Sequence, residues 1–493
     1  MATKFLSPKL LQKNLPFFLR PLNSTTSSSS LSAVESLNLT GKPEPTPPTT
    51  TTTERPTSIL ELNDHKKLFQ TISTSKLVHA SFVLRMAALE PVVDFGMWVM
   101  NSKLMEMDSI RDVVLKFVRH SFYEHFCGGE DTDEAGKYIR KINESGLRGM
   151  LDFAVEFTSD IDACDRNFLG FQKTIQAAKT LSPSSVSFVV VKMTAICTLK
   201  LLERVSDLLR WQQTDPSFNL PWKQNTLPIF SEASPLYHTL EKPESLTPEE
   251  ECELQLGQQR LLRLCQECVD ANVPLVVDAE HTAIQPAIDY FTYSSAIMHN
   301  KDDNPVVYNT IQAYLKDAKQ RLLLATKAAD KMGVPMGFKL VRGAYMSSER
   351  KLASALGYDS PIHNTIQQTH SCYNDCASFL LDTITNSSHG IILATHNVES
   401  GRLAAKKARE LGIRNGDQKL EFAQLYGMSE ALSFGLRNAG FQVSKYIPFG
   451  PIDTVIPYLL RRAEENRGLL SASNLDRELM MKELNRRLKA AIF

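Results

Sequence analysis

Eight short runs rich in β-branched and aromatic residues, each followed by a helical stretch, constrain this chain more tightly than any other feature. They are LDFAVEF (151–157), VSFVVVKMTAI (186–196), PLVVDAEH (274–281), VVYNTIQAY (306–314), GFKLVRGAY (337–345), GIILATHN (390–397), LEFAQLYGM (420–428) and VSKYIPFG (443–450). Strand–helix alternation predicts a parallel sheet joined by right-handed crossovers, and eight such units are the number that closes an α/β (βα)8, TIM-like barrel. A doubly wound open sheet is the competing arrangement from pattern alone.

The rest of the 493 residues divides around that core. The first 34 or so residues hold Lys4, Lys9, Lys13 and Arg20 with no acid before Glu35, which is the composition of an organellar transit peptide. A Ser/Thr/Pro-rich tract follows, so residues 1–55 are expected to lie outside the working domain. Residues 56–145 carry apolar positions at three-and-four spacing and predict a helical arm, kinked or broken at Pro91. Residues 146–493 are the expected barrel, interrupted by an insertion over 211–250 where the strand–helix period lapses.

Composition excludes several functions. Lysines plus arginines equal aspartates plus glutamates at 55 each, so no overall basic field attracts nucleic acid. The eight cysteines are scattered, and Cys265-x-x-Cys268 has no second pair at zinc spacing, which indicates a reduced compartment, helix-packing thiols and no metal site. No apolar run reaches the roughly 18 to 20 residues needed to cross a bilayer.

In barrels of this kind the chemistry sits at the carboxyl ends of the strands. Glu156, Lys192, Asp278, Glu280, Gln312, Lys339, Arg342, Tyr345, Thr395, His396, Asn397, Tyr426 and Tyr446 all fall in or beside the last half of their runs. Each has a plain structural explanation: Lys192 as a strand end, Asp278 as a helix cap, His396 as a satisfied core imidazole. Their joint placement favours a polar cavity, because charge inside an apolar strand is costly unless paired or facing one. Strand parity puts Lys339, Val341, Gly343 and Tyr345 on one side and Leu340, Arg342 and Ala344 on the other. Gly343 allows close backbone approach by a ligand and Arg342 suits a phosphate. The sequence has no G-x-G, hence no Rossmann or Walker fingerprint.

The segment PYLLRRAEENRG (457–468) places Tyr458, Arg461, Arg462 and Glu465 at i, i+3, i+4 and i+7, on one helical face. Adjacent guanidiniums repel, so side by side they suit an anionic guest held in two-point geometry. A solvated, charge-laced surface helix is the alternative.

Together GFKLVRGAY, VVDAEH, LATHN and Tyr446 followed by PYLLRRAEEN resemble the proline dehydrogenase family over roughly residues 146–475. The resemblance implies a distorted (βα)8 barrel binding FAD and oxidising L-proline to Δ1-pyrroline-5-carboxylate by hydride transfer. By similarity, Arg461 and Arg462 clamp the proline carboxylate with help from Lys192, and Tyr345, Leu425, Tyr446 and Tyr458 wall in the ring. Glu156 resembles a gate carboxylate paired with the first arginine, Glu465 orients the same cluster, and Asp278 matches an acid near the substrate. For the flavin, Lys339 corresponds to the cation beside the reactive ring nitrogen and Gln312 to the amide at the pyrimidine edge. Arg342, Gly343 and Ala344, with Val341 before them, resemble the pyrophosphate-binding turn, and Thr395, His396 and Asn397 match further cofactor contacts.

The resemblance also implies a mitochondrial enzyme passing electrons to a quinone, with peripheral contact to the inner membrane; the leader itself leaves a plastid open. Hydroxyproline is the competing substrate, disfavoured by the bulk of Tyr446. A Schiff-base aldolase using Lys192 or Lys339, or a non-catalytic binding barrel, is the competing reading from other classes.

Overall fold

The structure, a computed structural model, describes residues 59–492 apart from 183, 415, 418 and 469; the side chains of 464–473 and 492 lie outside the described residues, as does the expected leader. Strands β1 (Arg148–Phe153), β2 (Val186–Val191), β3 (Leu275–Val277), β4 (Val307–Gln312), β5 (Gly337–Val341), β6 (Gly390–Ala394), β7 (Leu420–Leu425) and β8 (Gln442–Phe449) pair in chain order, all parallel. β8 returns to β1, from Arg148 opposite Ser444 to Phe153 opposite Phe449. That last pairing closes the barrel and removes the open-sheet alternative.

Helices cover the outside of these strands, so the strands are buried on both faces and read as nearly continuous apolar runs; all six residues of β2 are buried. Met150, Phe188, Val190, Val276, Tyr308, Ile392 and Ala423 fill the interior, with the Phe188 and Tyr308 rings edge to face at 5.0 Å. A Cβ at Gly337 would collide with the Tyr308 ring, so glycine there makes room for the tyrosine. This apolar plug leaves only the strand tips for polar chemistry.

Several tips end earlier than their sequence runs. β3 stops at Val277, so Asp278, Glu280 and His281 stand on the loop beyond it. β5 stops at Val341, and Gly343 takes φ 130°, which breaks the expected alternation through Tyr345. Tyr345 instead caps the helix Met346–Leu356. The MTAI part of the second run is a turn of helix, Met193–Ile196.

In the arm, the helix Thr74–Ala88 ends at an extended Leu89, and Glu90–Met100 begins with Pro91 in its first turn, where no backbone donor is required. The arm packs on the C-terminal helix Leu470–Ile492: Glu483 meets His65 at 3.0 Å, and Arg487 donates to the Phe69 and Ile72 carbonyls at 2.8 Å each. The helix Ile452–Gly468 follows β8 and rests on the arm helices. No helix or strand is formed between Thr214 and Pro248. That segment crosses the carboxyl end of the barrel, where His238 meets Thr282 beyond β3 at 2.9 Å and Ser234 donates to Asp317 beyond β4 at 2.6 Å.

Candidate active site

Two buried lysines, two aspartates and a tyrosine meet at the carboxyl ends of β1, β2, β3, β5 and β8. Lys192 donates to Asp152 Oδ1 at 3.0 Å and to the Tyr446 hydroxyl at 3.2 Å, and lies 3.5 Å from Asp278 Oδ2. Tyr446 donates to the same Asp278 oxygen at 2.8 Å, while Lys339 donates to its other oxygen. Both ammoniums also lie over the Tyr446 ring, 5.9 Å from its centroid for Lys192 and 5.4 Å for Lys339.

The electrostatics follow from burial set against pairing. Burial opposes the Lys192 charge, yet Asp152 and then Asp278 outweigh it and raise its pKa, so the amine stays protonated. Burial likewise works against Asp278, but Lys339 and Lys192 hold its carboxyl below the usual range. The Asp152 carboxyl is raised, chiefly by burial. Burial and the two aspartates push the Tyr446 phenol well up, so it remains a donor.

Above this floor lies the helix Ile452–Gly468. Arg461 pairs in two-point geometry with Glu156 beyond β1, Nη1 to Oε1 at 2.5 Å and Nη2 to Oε2 at 3.0 Å. Phe157, the next residue, adopts φ 57°, a left-handed conformation costly for an aromatic residue and typical of functional turns. One turn along the helix from Tyr458, Arg462 is 6% exposed and holds its guanidinium 5.0 Å from the Tyr458 ring centroid. Tyr345 lies among the fields of Arg461, Glu280, Glu156 and Asp278, and its ring is 4.1 Å from that of His281. Burial and then the Arg461 charge press His281 down to about 4. Glu280, fully buried, accepts from the Thr194 hydroxyl at 2.9 Å and is pushed up to about 8 by burial and then by Glu156. Glu465 is on this helix, but its side chain lies outside the described residues.

A second cluster forms beyond β5 and β6. Arg342 donates to His370 at 3.0 Å, to Thr395 at 2.7 Å and to Ser400 at 2.8 Å, and stacks 4.3 Å over the Tyr373 ring. Asn397 caps the helix Val398–Glu410 through the Ser400 amide at 2.9 Å. His396 accepts the Leu425 N–H on Nε2 at 3.0 Å, so its other nitrogen carries the proton; burial and then Arg462 lower its pKa to about 3. Gln312 donates to the Glu280 carbonyl at 2.8 Å and ties β4 to the first cluster. A Cβ on Gly343 would run into the Tyr314 ring, so packing under the turn requires glycine there, besides any ligand above it. Val341 and Leu425 are half-buried and Ala344 is exposed.

One strand-end residue departs from the expected placement. Tyr426 faces the arm, taking Lys76 at 3.2 Å and packing on Tyr138, because it follows Leu425 onto the opposite side of β7. Four contributors were not anticipated: Asp152, His281, His370 and Tyr373. Asp152 had a signal, a carboxylate inside an apolar run. His370 and Tyr373 had none, since they reach Arg342 from the outer helix Ile366–Ile384.

The proline dehydrogenase family model matches residues 135–475. The chain belongs to this family, and it is an enzyme. Among curated relatives, "Proline dehydrogenase 1, mitochondrial" of Arabidopsis thaliana is 54% identical over the full length of both chains. "Proline dehydrogenase 2, mitochondrial" of the same plant is 56% identical over 90% of this chain and 95% of its own. The proline dehydrogenase barrel also resembles a crystal structure of proline utilization A from Bdellovibrio bacteriovorus, with TM-score 0.59 at 19% identity over 82% of this chain. The chain spans 43% of that longer protein, and the likeness concerns the fold.

Proposed function

We propose that this proline dehydrogenase family member oxidises L-proline to Δ1-pyrroline-5-carboxylate in the mitochondrion, with FAD as its cofactor. The observation that carries the reading is Asp278 shared between Lys339 and Tyr446 beneath the Arg461–Arg462 helix. The arrangement sets Lys339 on one side and the Arg461–Arg462 pair on the other, with Tyr345, Tyr446 and Tyr458 around them, which suits an amino-acid carboxylate at one end and a reducible ring at the other.

The residues fit a flavin dinucleotide. Three of the five N–H donors of Arg342 are held by His370, Thr395 and Ser400, which aims the remaining two and suits a pyrophosphate. Lys339 is a buried cation of the kind that stabilises a flavin's negative charge on reduction. FAD, when bound, would supply the two-electron acceptor for hydride from the ring carbon next to nitrogen, the proline nitrogen giving up one proton in the same oxidation. Gln312 and Thr395 would hold it through polar contacts.

Orientation is the protein's share of the chemistry. Arg461 and Arg462 take the carboxylate, Arg461 by exchanging Glu156 for it, and Lys192 adds a third contact. Tyr345, Leu425, Tyr446 and Tyr458 press the pyrrolidine ring into place and exclude water. The Tyr446 hydroxyl is held by Lys192 and Asp278, so its bulk is fixed where a ring hydroxyl would project; this favours proline over hydroxyproline. An aldolase needs a neutral amine, and Lys192 is held as ammonium.

Quinone is the proposed electron acceptor, reached at the inner mitochondrial membrane by peripheral contact. The arm supports this, since Phe82, Leu89, Phe95, Trp98 and Phe117 are all exposed, with the Phe95 and Trp98 rings stacked at 5.9 Å. Among the described residues no helix is long and apolar enough to cross a membrane. An absorption spectrum of the purified protein before and after anaerobic proline tests the central claim: a flavin band that bleaches is expected. A colourless protein, or a lysine adduct trapped by borohydride, would overturn it.

A further inference from the structure

Lys192 has three N–H donors, and Asp152, Tyr446 and Asp278 stand around it as acceptors, at 3.0, 3.2 and 3.5 Å. The shortest contact goes to Asp152 of β1. Asp152 is 1% exposed, its Oδ2 makes no hydrogen bond, and it is carried on β1 opposite Val190 of β2 and Pro448 of β8. An unsatisfied buried carboxylate oxygen costs free energy, so the position serves Lys192, its ion-pair partner, with the Tyr446 hydroxyl beside it.

Without Asp152, Asp278 would be the carboxylate in direct reach of both buried ammoniums. Lys192 would then close on Asp278 and compete with Lys339 for it. We propose that Asp152 is a positioning residue that sorts the two lysines, keeping Lys192 for the substrate carboxylate and leaving Asp278 to Lys339. The longest of the Lys192 contacts, to Asp278 at 3.5 Å, is the one a substrate carboxylate replaces, while Asp152 and Tyr446 remain as anchors. The roles of substrate and flavin here rest on the reading given under Proposed function; the Asp152–Lys192 pairing does not.

Asp152→Asn keeps the shape and removes the charge, and two readouts separate sorting from mere packing. Competitive acetylation of Lys192, mapped by peptide mass spectrometry, is expected to quicken several-fold, since the amine loses its main counter-charge; this needs neither flavin nor turnover. KM for proline in flavin-matched holoenzyme should rise roughly tenfold with a smaller fall in kcat, and the flavin potential of the substrate-free holoenzyme should become more positive. In a Lys192→Met background the same substitution should change KM by no more than about twofold. Asp152→Glu, which retains the charge, should return labelling and KM toward wild type, and it serves if the asparagine variant does not fold. Unchanged labelling overturns the pairing, and an unchanged KM or an equal effect without Lys192 overturns the sorting role. A wild-type enzyme that labels as expected but leaves proline untouched overturns the substrate reading and the role built on it, while the ion pair stands.

Discussion

The Asp278 carboxylate is divided between Lys339 on one oxygen and Tyr446 on the other, the tyrosine donating at 2.8 Å. One acid therefore couples the proposed substrate wall to the proposed flavin cation. Removing the hydroxyl in Tyr446→Phe keeps the ring and deletes a hydrogen bond to a charged group, a contact of about 1.5–3 kcal/mol. Proline kcat/KM is expected to fall roughly tenfold or more with flavin content unchanged. Steady-state kinetics on flavin-matched protein decides, and full activity would dissociate this bond from catalysis.

Shortening the same side chain tests specificity. In Tyr446→Ser the space held by the phenol opens, and hydroxyproline turnover should improve relative to proline. The informative quantity is the ratio of the two kcat/KM values. A ratio equal to that of the wild type would show that this residue does not gate the ring substituent.

Arg462 is buried against Tyr458 rather than spread on a solvated surface. Arg462→Ala should raise KM for proline, at least tenfold in efficiency for the loss of one two-point carboxylate contact of about 1.5–3 kcal/mol. Flavin absorbance per chain should stay at the wild-type level. If flavin is lost instead, the arginine belongs to the cofactor and not to the carboxylate.

Arg342 offers the converse test. It is held by His370, Thr395 and Ser400 and stacked on Tyr373, far from the substrate wall in connectivity. Arg342→Ala is expected to purify with reduced flavin occupancy, and added FAD should restore turnover with a near-normal KM for proline. Ultrafiltration followed by flavin fluorescence measures the occupancy, and retention equal to wild type would remove the pyrophosphate assignment.

Glu280 sets a pH dependence of stability. Burial and then the Glu156 charge push its carboxyl from an ordinary 4.5 to about 8, so the folded chain holds a proton that the unfolded chain releases across that window. This contribution is present in full below 4.5 and is lost as pH rises through about 8. The wild-type unfolding midpoint should decline over the upper part of that window, and Glu280→Gln should flatten the decline. Parallel curves for the two proteins would place the carboxyl's pKa near its ordinary value.

Much of this arrangement was legible along the chain. Eight apolar runs between helical stretches, charges at their carboxyl ends, and Tyr458, Arg461 and Arg462 on one helical face are local patterns, set by backbone period and by the cost of burying charge. They led to the barrel and to many of the polar side chains that gather at the carboxyl ends of its strands. Parity failed beyond Val341, where Gly343 turns the backbone out of the strand, and strand-end position alone misplaced Tyr426, which alternation carries toward the arm.

Which side chains meet could not be read in the same way. Asp152 and Lys192 are 40 residues apart, Asp278 and Lys339 61, and His65 and Glu483 418. Such pairs exist because β8 closes on β1 and crowds tips from distant strands into one low-dielectric space, where each charge must find a partner. The sequence by itself determined the elements, their order and the chemical types brought to the strand ends, because those depend on local period and composition. Only the tertiary structure decided that Asp152 takes Lys192 while Asp278 serves Lys339 and Tyr446, because partner choice among buried charges depends on distances that closure of the barrel creates.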